Sequence, residues 1–392
     1  MRICLVYDCL FPHTVGGAER WYRNLGERLA ADGHDVTYLT LRQWDRGVDP
    51  GVRGVRVVAV GPQMALYAGG RRRIVPPVIF GLGVLLHLFR RGGSYDVVHT
   101  ASFPYFSLLA AGALRRAHGY RLVVDWHEVW SKDYWVEYLG RRAGPVGAAV
   151  QQLCVRIAQH AFCFSRLHAA RLRSAGLRGE VTVLEGEYVP SNRAEPLTTP
   201  HPALPLVVFA GRHIPEKRAP TVVAAVVYAA EQIPDLRGVI FGDGPERGQV
   251  LEAIRAAGAE STVTAPGFVA AEEVDAALDE ALCMLLPSRR EGYGLIVVEA
   301  ASRGVPSIVV SGLDNAATEL ITEGENGTIA RSADPDELAH AILRIDQAGT
   351  RLRESTLAWY RRNERRLSLE DSLTRVLDSY GGLIGGSPDG PA

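Results

Sequence analysis

The sequence predicts an α/β protein of two tandem Rossmann-like domains, with an inter-domain cleft and a helical C-terminal tail. Three observations support this fold class. The chain of 392 residues is too long for one ordinary hydrophobic core and fits two domains of about 150 to 200 residues each. Short runs rich in Val, Ile and Leu alternate with longer amphipathic segments. A proline-rich stretch interrupts this alternation near the middle of the chain.

The N-terminal domain is predicted over residues 1–190. It opens on the apolar run "RICLVYD", continues with the amphipathic "AERWYRNLGERLAADG" and "HDVTYLT", and later contains "DVVHT", "RLVVD", "AFCFS" and "VTVLE". Alternation of this kind is typical of βαβ units and of a parallel sheet covered on both faces. The opening "MRICLVYDCL" is a short apolar run that turns polar at once, without a long apolar core or a small-residue cleavage site, so we expect no signal peptide.

A linker over residues 191–204 and a second Rossmann-like domain over residues 205–365 are predicted next. The linker lies in "VPSNRAEPLTTPHPALP", which contains five prolines. The second series of apolar runs is "LVVFA", "GVIFGDG", "TVTAPGF", "ALCMLLPS" and "SIVVS". The last helix, about residues 366–382, has no strand to follow it. The sequence is compatible with packing of this helix against either domain, and we assign it to the N-terminal domain.

Composition excludes several classes of function. The net charge is −1, so nothing global favours a nucleic-acid partner. The five cysteines are scattered and lack the close pairing of a zinc site or a disulfide framework, which predicts reduced cysteines in a cytoplasmic protein.

The longest apolar stretch is "IVPPVIFGLGVLLHLF", residues 74–89. It is shorter than the roughly 20 residues that span a bilayer. Arginines flank it on both sides, at Arg71, Arg72, Arg73, Arg90 and Arg91. Two interpretations stay open: an interfacial helix that makes a peripheral contact with anionic lipid at the inner membrane face through residues 71–91, or a half-buried helix with solvated basic ends.

Two strand-to-helix loops of the second domain carry the candidate chemistry. In "PSRREGYGLIVVEAASRGVP", Glu291 lies in the loop and Glu299 lies inside the following helix, so both carboxylates flank a helix N-terminus that can receive an anion. The loop "GRHIPEKRAP" places Arg212 and Lys217 together. Lys132 and Lys217 are the only lysines of the chain, and lysine is a compact cation suited to phosphate. Solvated surface residues are the simpler interpretation of the Arg212 and Lys217 loop alone. Glu299 interrupts the apolar run "LIVVEAA", where an unpaired buried carboxylate would be costly, so a functional role is favoured for the glutamates.

These loops carry a resemblance to a known family. "GRHIPEKRAP", "VIFGDGPE", "APGFV" and "PSRREGYGLIVVEAASRGVPSIVVSGLDNAATELITEGENG", in this order, resemble the donor-binding half of the family 4 retaining glycosyltransferases of GT-B architecture. The resemblance implies that Glu291 contacts the donor sugar and acts in catalysis, and that Glu299 contacts the nucleotide ribose. It implies the following further roles: Gly292 and Tyr293 at the donor sugar, Arg212, Lys217, Gly294 and Leu295 at the diphosphate, and Gly244, Phe268 and Val269 at the ribose and base.

The N-terminal half adds two matches to the same family. "HTVGGAER" resembles its glycine-rich loop, which implies that Gly16 and Gly17 approach the donor diphosphate. "LVVDWHEVW" places His127 just past a strand end, where the family has a histidine beside the reacting sugar. Aromatic residues follow closely, with Trp126, Trp130 and Trp135 as candidate acceptor contacts. A core face and an acceptor-stacking wall are equally compatible with their spacing.

No metal and no other cofactor are expected. The tripeptide "DPD" (334–336) matches the metal-binding aspartate pair of another glycosyltransferase fold, but here it reads as a helix start, with Asp334 as N-cap and Pro335 as the first helical residue.

The function implied by the resemblance is metal-independent transfer of a sugar, with retention of configuration, from a nucleotide-diphosphate sugar to a hydroxyl acceptor in a glycolipid, a polysaccharide precursor or a secondary metabolite. The two domains are expected to close over donor and acceptor. Alternatives are an isomerase similar to a sugar-nucleotide 2-epimerase, or a non-catalytic nucleotide-sugar-binding subunit.

Overall fold

The structure is a computed structural model that describes residues 1–14, 16–68, 71–189 and 205–385. The chain forms two compact units. The first contains Met1–Glu187 and the C-terminal helix that begins at Leu369, and the second contains Tyr188–Ser368. The predicted linker, residues 191–204, lies outside the described residues.

The first unit is built on a seven-stranded sheet in the order β3-β2-β1-β6-β7-β8-β9, and every pairing in it is parallel. A short antiparallel hairpin, β4–β5, stands apart from it. The strands are β1 (Arg2–Val6), β2 (Asp35–Leu41), β3 (Arg56–Gly61), β4 (Tyr67–Ala68), β5 (Arg71–Arg72), β6 (Val97–Ala101), β7 (Arg121–Trp126), β8 (His160–Cys163) and β9 (Val181–Val183).

Helices form most of the crossovers between these parallel strands, whereas a loop over residues 42–55 joins β2 to β3. They are α1 (Gly17–Ala31), α2 (Val75–Arg91), α3 (Tyr105–His118), α4 (Lys132–Val155) and α5 (Arg166–Ser174), with a 3₁₀ turn at Gly92–Ser94. Helix α4 is kinked at Gly140, where φ is 83°. The apolar runs of the central strands are completely buried, as expected for a sheet covered on both faces.

The second unit repeats the plan with a six-stranded sheet in the order β12-β11-β10-β13-β15-β17, again with every pairing parallel. Its strands are β10 (Leu206–Ala210), β11 (Arg237–Phe241), β12 (Val263–Gly267), β13 (Cys283–Leu286), β14 (Arg290–Glu291), β15 (Ser307–Val310), β16 (Asp314–Asn315) and β17 (Gly327–Ala330). Its helices are α6 (Ala219–Ala230), α7 (Arg247–Ala256), α8 (Ala271–Glu280), α9 (Leu295–Ala301) and α10 (Pro335–Leu367), with a 3₁₀ turn at Ala316–Leu320.

The last helix, α11 (Leu369–Gly385), belongs to the first unit. Arg28 of α1 forms an ion pair with Glu370, and the Gly186 N–H donates to Ser372 Oγ at 3.2 Å. The predicted α/β class, with two parallel-sheet Rossmann-like units and a helical C-terminal region, is confirmed.

Each sheet reverses its strand order once. In the first unit β1 lies between β2 and β6, and in the second β10 lies between β11 and β13. Ligands of doubly wound sheets bind outside the carboxyl ends of the strands at such a switch point. The loops that follow β1, β6, β10 and β13 are therefore where chemistry is to be sought.

Candidate functional site

The switch point of the second unit brings the predicted charged residues together. Arg212 and Lys217 lie on the loop from β10 to α6, and Glu291 lies on the loop after β13. The Arg289 N–H donates to the Glu216 carbonyl at 2.8 Å and so joins the two loops. Residues 74 positions apart in sequence become neighbours because β10 and β13 are adjacent strands.

Lys217 and Glu291 form an ion pair, in which Lys217 Nζ donates to Glu291 Oε1. Their side chains are 19% and 9% exposed, so both atoms lie just below the surface. Arg212 is exposed, and its guanidinium has no hydrogen-bond or ion-pair partner among the described residues. Lys217 and Glu291 therefore balance each other's charge, and the exposed Arg212 adds a positive charge that this pair does not match.

Glu291 is held by a second layer of contacts. Strand β14 pairs in parallel with β16, which aligns Glu291 with Asn315. Asn315 is buried, and its Nδ2 donates to the carbonyls of Ser288 at 3.0 Å and Val310 at 2.8 Å. The sequence analysis did not single out this asparagine. A buried amide shortly after an apolar strand is the signal that identifies it.

Helix α9 begins directly after the Glu291 loop. Gly294 is its N-cap in the left-handed region, with φ 103°, and a Cβ there would lie 2.7 Å from Ala317 Cβ. This position therefore needs glycine. Leu295 is the first residue of the seven-residue helix, Gly292 and Glu299 are half-buried, and Tyr293 is buried.

The predicted nucleotide residues lie at the ends of β11 and β12. Gly244 has φ 153°, and a Cβ on it would lie 2.5 Å from the His213 carbonyl oxygen, so this loop passes closely over the one that carries Arg212. Phe268 follows β12 and is 73% exposed, whereas Val269 is half-buried. An open aromatic ring beside a close backbone turn fits the stacking of a flat base.

His213 was not predicted, although it lies between Arg212 and the Gly244 loop. It is completely buried, and neither ring nitrogen has a hydrogen-bond partner among the described residues. Burial lowers the pKa of His213, and Arg247 adds to this effect, while the Phe241 backbone and Asp243 oppose it only in part. A neutral imidazole thus backs the loop that carries the exposed cation.

In the first unit His127 lies directly after β7. Its ring stacks on Phe164, with ring centroids 4.5 Å apart and planes 8° from parallel. Its Nε2 is buried and has no hydrogen-bond partner in the described part of the chain. Burial lowers the pKa of His127, and the nearby Asp125 and Glu128 oppose this shift only in part. The imidazole is therefore neutral at neutral pH, with an unused nitrogen.

A buried polar network lies beneath His127. His99 Nε2 donates to Asp125 Oδ1 at 2.7 Å, Trp21 Nε1 donates to Asp125 Oδ2 at 2.8 Å, and the other His99 nitrogen bonds the Tyr380 hydroxyl. Burial by itself would raise the pKa of Asp125, but the contacts with His99, the proximity of His127 and the Trp21 hydrogen bond hold it below its ordinary value. Titratable residues inside the apolar runs "DVVHT" and "RLVVDW" are the sequence signal for this network.

Glu187 is a further group that the sequence analysis missed. It lies shortly after β9, at the same carboxyl edge of the sheet as His127. Burial and the charge of Asp125 raise the pKa of Glu187 to about 7. It therefore changes charge near neutral pH.

The glycine-rich loop lies at the start of α1. Gly17 is the first helical residue with open space around it, and Gly16 is the N-cap. A Cβ on Gly16 would clash with the Glu19 carboxylate, which folds back over this loop. An acidic residue in the first turn is favourable to the helix dipole. The Glu19 carboxylate also offsets the positive charge at the helix N-terminus, where the amides of Gly16 and Gly17 were expected to approach a diphosphate.

The aromatic residues near His127 divide between core and surface. Trp126 is completely buried with its indole N–H on Gln159, and Trp135 is buried within α4. The burial of Trp126 and Trp135 agrees with the interpretation of this segment as a core face. Trp130 is half-buried and donates to Glu128 Oε2 at 2.7 Å. Of the three predicted tryptophans, Trp130 is therefore the one that can form an acceptor-stacking wall. Tyr138 packs against it, with ring centroids 5.1 Å apart.

Asp334 is the N-cap residue of α10, and Pro335 is its first residue. The Asp334 carboxylate accepts from Ser332 Oγ at 2.8 Å. The "DPD" tripeptide is thus a helix start, as predicted. All five cysteines are free and buried.

Comparison with known proteins identifies the class. Residues 199–355 match the family described as glycosyl transferases group 1, and residues 16–185 match the glycosyl transferase 4-like domain. Together with two parallel Rossmann-like sheets, this defines a glycosyltransferase of GT-B architecture. The chain belongs to the glycosyl transferases group 1 family, as the resemblance implied.

One curated relative is the 2-deoxystreptamine N-acetyl-D-glucosaminyltransferase of Niallia circulans, 33% identical over 139 residues, or 36% of this chain and 35% of the relative. The match thus spans about a third of that relative's length. Among solved structures, sucrose-phosphate synthase from Thermosynechococcus elongatus has a TM-score of 0.78 at 21% identity, covering 98% of this chain and 100% of that one. Anabaena HepE in complex with UDP and glucose has a TM-score of 0.71 at 17% identity, covering 97% and 99%. These two likenesses concern the fold.

Proposed function

We propose that the protein is a retaining glycosyltransferase that moves a hexosyl group from a nucleotide-diphosphate sugar to a hydroxyl acceptor. The observation that carries this proposal is the meeting of Lys217, Glu291 and the unmatched Arg212 at the switch point of the second sheet. A diphosphate supplies the negative charge that this arrangement lacks, and Glu291 is an acceptor for sugar hydroxyls. Membership of the family supports the same assignment.

The proposed chemistry is electrostatic stabilisation of a departing diphosphate. When the donor binds, Lys217 contacts the phosphate that becomes the leaving group and stabilises its negative charge. Glu291 accepts hydrogen bonds from the hydroxyls of the donor sugar. Arg212 pairs with the other phosphate. The positive charges perform the task that metal ions perform elsewhere, so we propose that transfer is metal-independent. Retention follows from a same-face displacement, in which the departing phosphate takes the acceptor proton.

The nucleotide is proposed to lie against Gly244, Phe268 and Val269, with its ribose on Glu299. The exposed Phe268 ring supports a stacking contact with the base. HepE, which binds UDP and glucose in its solved complex, supports a UDP-sugar as the first donor to test.

The acceptor is proposed to approach the carboxyl edge of the first sheet. The neutral, half-buried His127 supports this placement, because its buried Nε2 has no partner in the part of the chain that the structure describes. Trp130 supplies a half-buried aromatic face beside it. A hydroxyl of a glycolipid, a polysaccharide precursor or a secondary metabolite fits such a surface.

The protein is proposed to act in the cytoplasm, with a peripheral membrane contact through residues 71–91. In the described residues, no helix is long and apolar enough to cross a membrane.

Calorimetric titration of UDP- and GDP-sugars in the presence of EDTA tests the donor site. We expect one donor to bind the wild type and to bind Lys217→Ala at least tenfold more weakly, because a phosphate loses its cation. Lys132→Ala is the matched control, since it removes the only other lysine, which is exposed. Equal binding by Lys217→Ala, or binding that needs added metal, would contradict the proposal.

Transfer itself is tested by mass spectrometry of acceptor mixtures incubated with the donor that binds. A glycosylated product establishes the transferase. Donor binding with no product from any hydroxyl acceptor would favour the non-catalytic subunit, and conversion of the donor alone would favour the isomerase.

A further inference from the structure

Helix α2 is apolar over most of its surface, with His87, Arg90 and Arg91 as its polar residues, yet only one side of it is covered. Pro76, Phe80, Val84 and Leu88 are buried in the first unit. The opposite side is open to solvent, with the following exposed residues: Ile74, Val75, Leu82, Leu85, Leu86 and Phe89. We call these six residues the α2 stripe. Leu82, Leu86 and Phe89 are 61%, 50% and 67% exposed.

The stripe has helical order. Val75, Leu82, Leu86 and Phe89 are spaced seven, four and three residues apart, which places them on one face. An ordinary surface helix carries polar residues on that face. Six exposed apolar side chains on one helix and its N-cap indicate a surface that another apolar phase covers.

The charge around the stripe indicates which phase. Residues 50–95 contain no aspartate or glutamate, and their seven arginines are Arg53, Arg56, Arg71, Arg72, Arg73, Arg90 and Arg91. Arg73, Arg90 and Arg91 are exposed and lie at the two ends of α2. Arg72 is paired with Asp8 inside the unit and does not count toward this charge. An apolar face with exposed arginines at both ends is the pattern of a helix that lies in the headgroup region of an anionic bilayer.

The length of α2 agrees with this orientation. Its 17 residues extend over about 26 Å at 1.5 Å per residue, which is less than a hydrocarbon core of about 30 Å. The opposite face is also committed to the unit, because Gly81 lies against Phe106 of α3 and Gly83 lies against Val60 of β3, too close for any Cβ. This geometry suits a helix that lies parallel to a membrane surface while its other face stays packed against α3 and β3.

We propose that the α2 stripe docks the protein on an anionic lipid surface, with the stripe among the headgroups and acyl chains and the terminal arginines on lipid phosphates. This inference rests on the peripheral contact in the proposed function and specifies its face and its lipid charge. It also selects, among the acceptor classes, a hydroxyl presented at a membrane surface.

Co-sedimentation of the full chain with vesicles tests this inference. We expect the wild type to bind vesicles of phosphatidylcholine with one quarter phosphatidylglycerol, and to bind pure phosphatidylcholine at least tenfold more weakly. Leu82→Asn with Phe89→Asn should lower binding to the anionic vesicles at least tenfold. Arg90→Gln with Arg91→Gln should remove most of the preference for anionic lipid.

Val146→Asn with Leu153→Asn is the matched control, since these exposed apolar residues lie on α4 of the same unit. It should bind vesicles as the wild type does. Donor calorimetry on each variant keeps the two proposals separate: the stripe variants should bind donor normally, and a chain that binds vesicles without binding donor would contradict only the proposed function.

Two results would overturn the inference. One is a wild type that does not sediment with anionic vesicles. The other is a lipid-free dimer, seen by light scattering, that Leu82→Asn with Phe89→Asn converts to monomer, because a second copy would then cover the stripe. Unchanged thermal unfolding of the variants is expected, since the replaced side chains are exposed.

Discussion

The two units use the same sheet plan and treat charge in opposite ways. In the second unit, Lys217 and Glu291 pair just below the surface and Arg212 is exposed on a loop. In the first unit, His99 and Asp125 are fully buried, and the Tyr380 hydroxyl joins them. One set of charges is available to a ligand, and the other is sealed beneath the loop that carries His127.

This difference separates binding from positioning. The Lys217–Glu291 ion pair lies just below the surface, with side chains 19% and 9% exposed, so its partners can exchange for a ligand that enters the loops. A buried network leaves its groups no alternative partner, so it stabilises the surrounding backbone strongly when complete. We therefore expect changes in the second unit to weaken binding, and changes in the first to weaken folding.

Removal of the central carboxylate of the buried network should have the largest effect. Asp125→Ala leaves the His99 and Trp21 N–H groups unpaired, so we expect the free energy of unfolding to fall by about 3 kcal/mol or more. Urea unfolding followed by circular dichroism measures it. Glu291→Gln is the counterpart in the second unit and should lower the free energy of unfolding by less than Asp125→Ala does, because Lys217 is partly exposed and regains water when its partner is lost. Equal losses of unfolding free energy in the two variants would contradict the proposed difference between the units.

The pH dependence of the first unit sharpens the contrast at Glu187. The folded pKa of about 7 lies above the ordinary 4.5, so the protonated group stabilises the fold fully below pH 4.5, and this contribution is lost as pH rises through 7. Glu187→Gln should therefore gain up to about 3 kcal/mol over the wild type between pH 4.5 and pH 8. Thermal unfolding across this range measures the gain.

The control for this pH series is Glu260→Gln, which changes an exposed glutamate of the second unit. Its unfolding should follow the wild type at every pH. A wild type and a Glu187→Gln variant with parallel pH profiles would show that Glu187 titrates as an ordinary carboxylate.

A smaller effect is expected at the backbone of the Glu291 loop. Gly294→Ala introduces a Cβ at φ 103° and against Ala317, which should cost about 1 to 3 kcal/mol of stability and shift the start of α9. Gly248→Ala, at a helical position with open space, should instead gain up to about 1 kcal/mol. Differential scanning calorimetry compares them, and a neutral Gly294→Ala would mean that the loop relaxes freely.

Much of the fold was predictable from local pattern. The run "RLVVD" became β7, "LVVFA" became β10 over Leu206–Ala210, and the tail became α10 and α11. Parallel strands buried on both faces are read directly as apolar runs, and Arg212, Lys217 and Glu291 follow such runs. The site loops were therefore predictable as well, because a strand end fixes where its loop begins.

Contacts between distant segments were not predictable. The bond from His99 to Tyr380 joins residues 281 positions apart, and no local pattern of either residue specifies the other. The sequence also did not identify which side of α2 is exposed, because a helix that is apolar over most of its surface has no clear periodicity to orient it. Trp126 and Trp130, four residues apart, were likewise equivalent in sequence, and only packing made one core and the other half-buried.

The sequence by itself determined the alternation of strands and helices, the two Rossmann-like halves and the loops that carry the candidate donor residues, since these depend on periodicity and on chain order. The tertiary structure decided which charges meet, which are sealed from water and which apolar face is left open. Burial and pairing are properties of surfaces that come together from distant parts of the chain, so they exist only once the sheets and helices have packed.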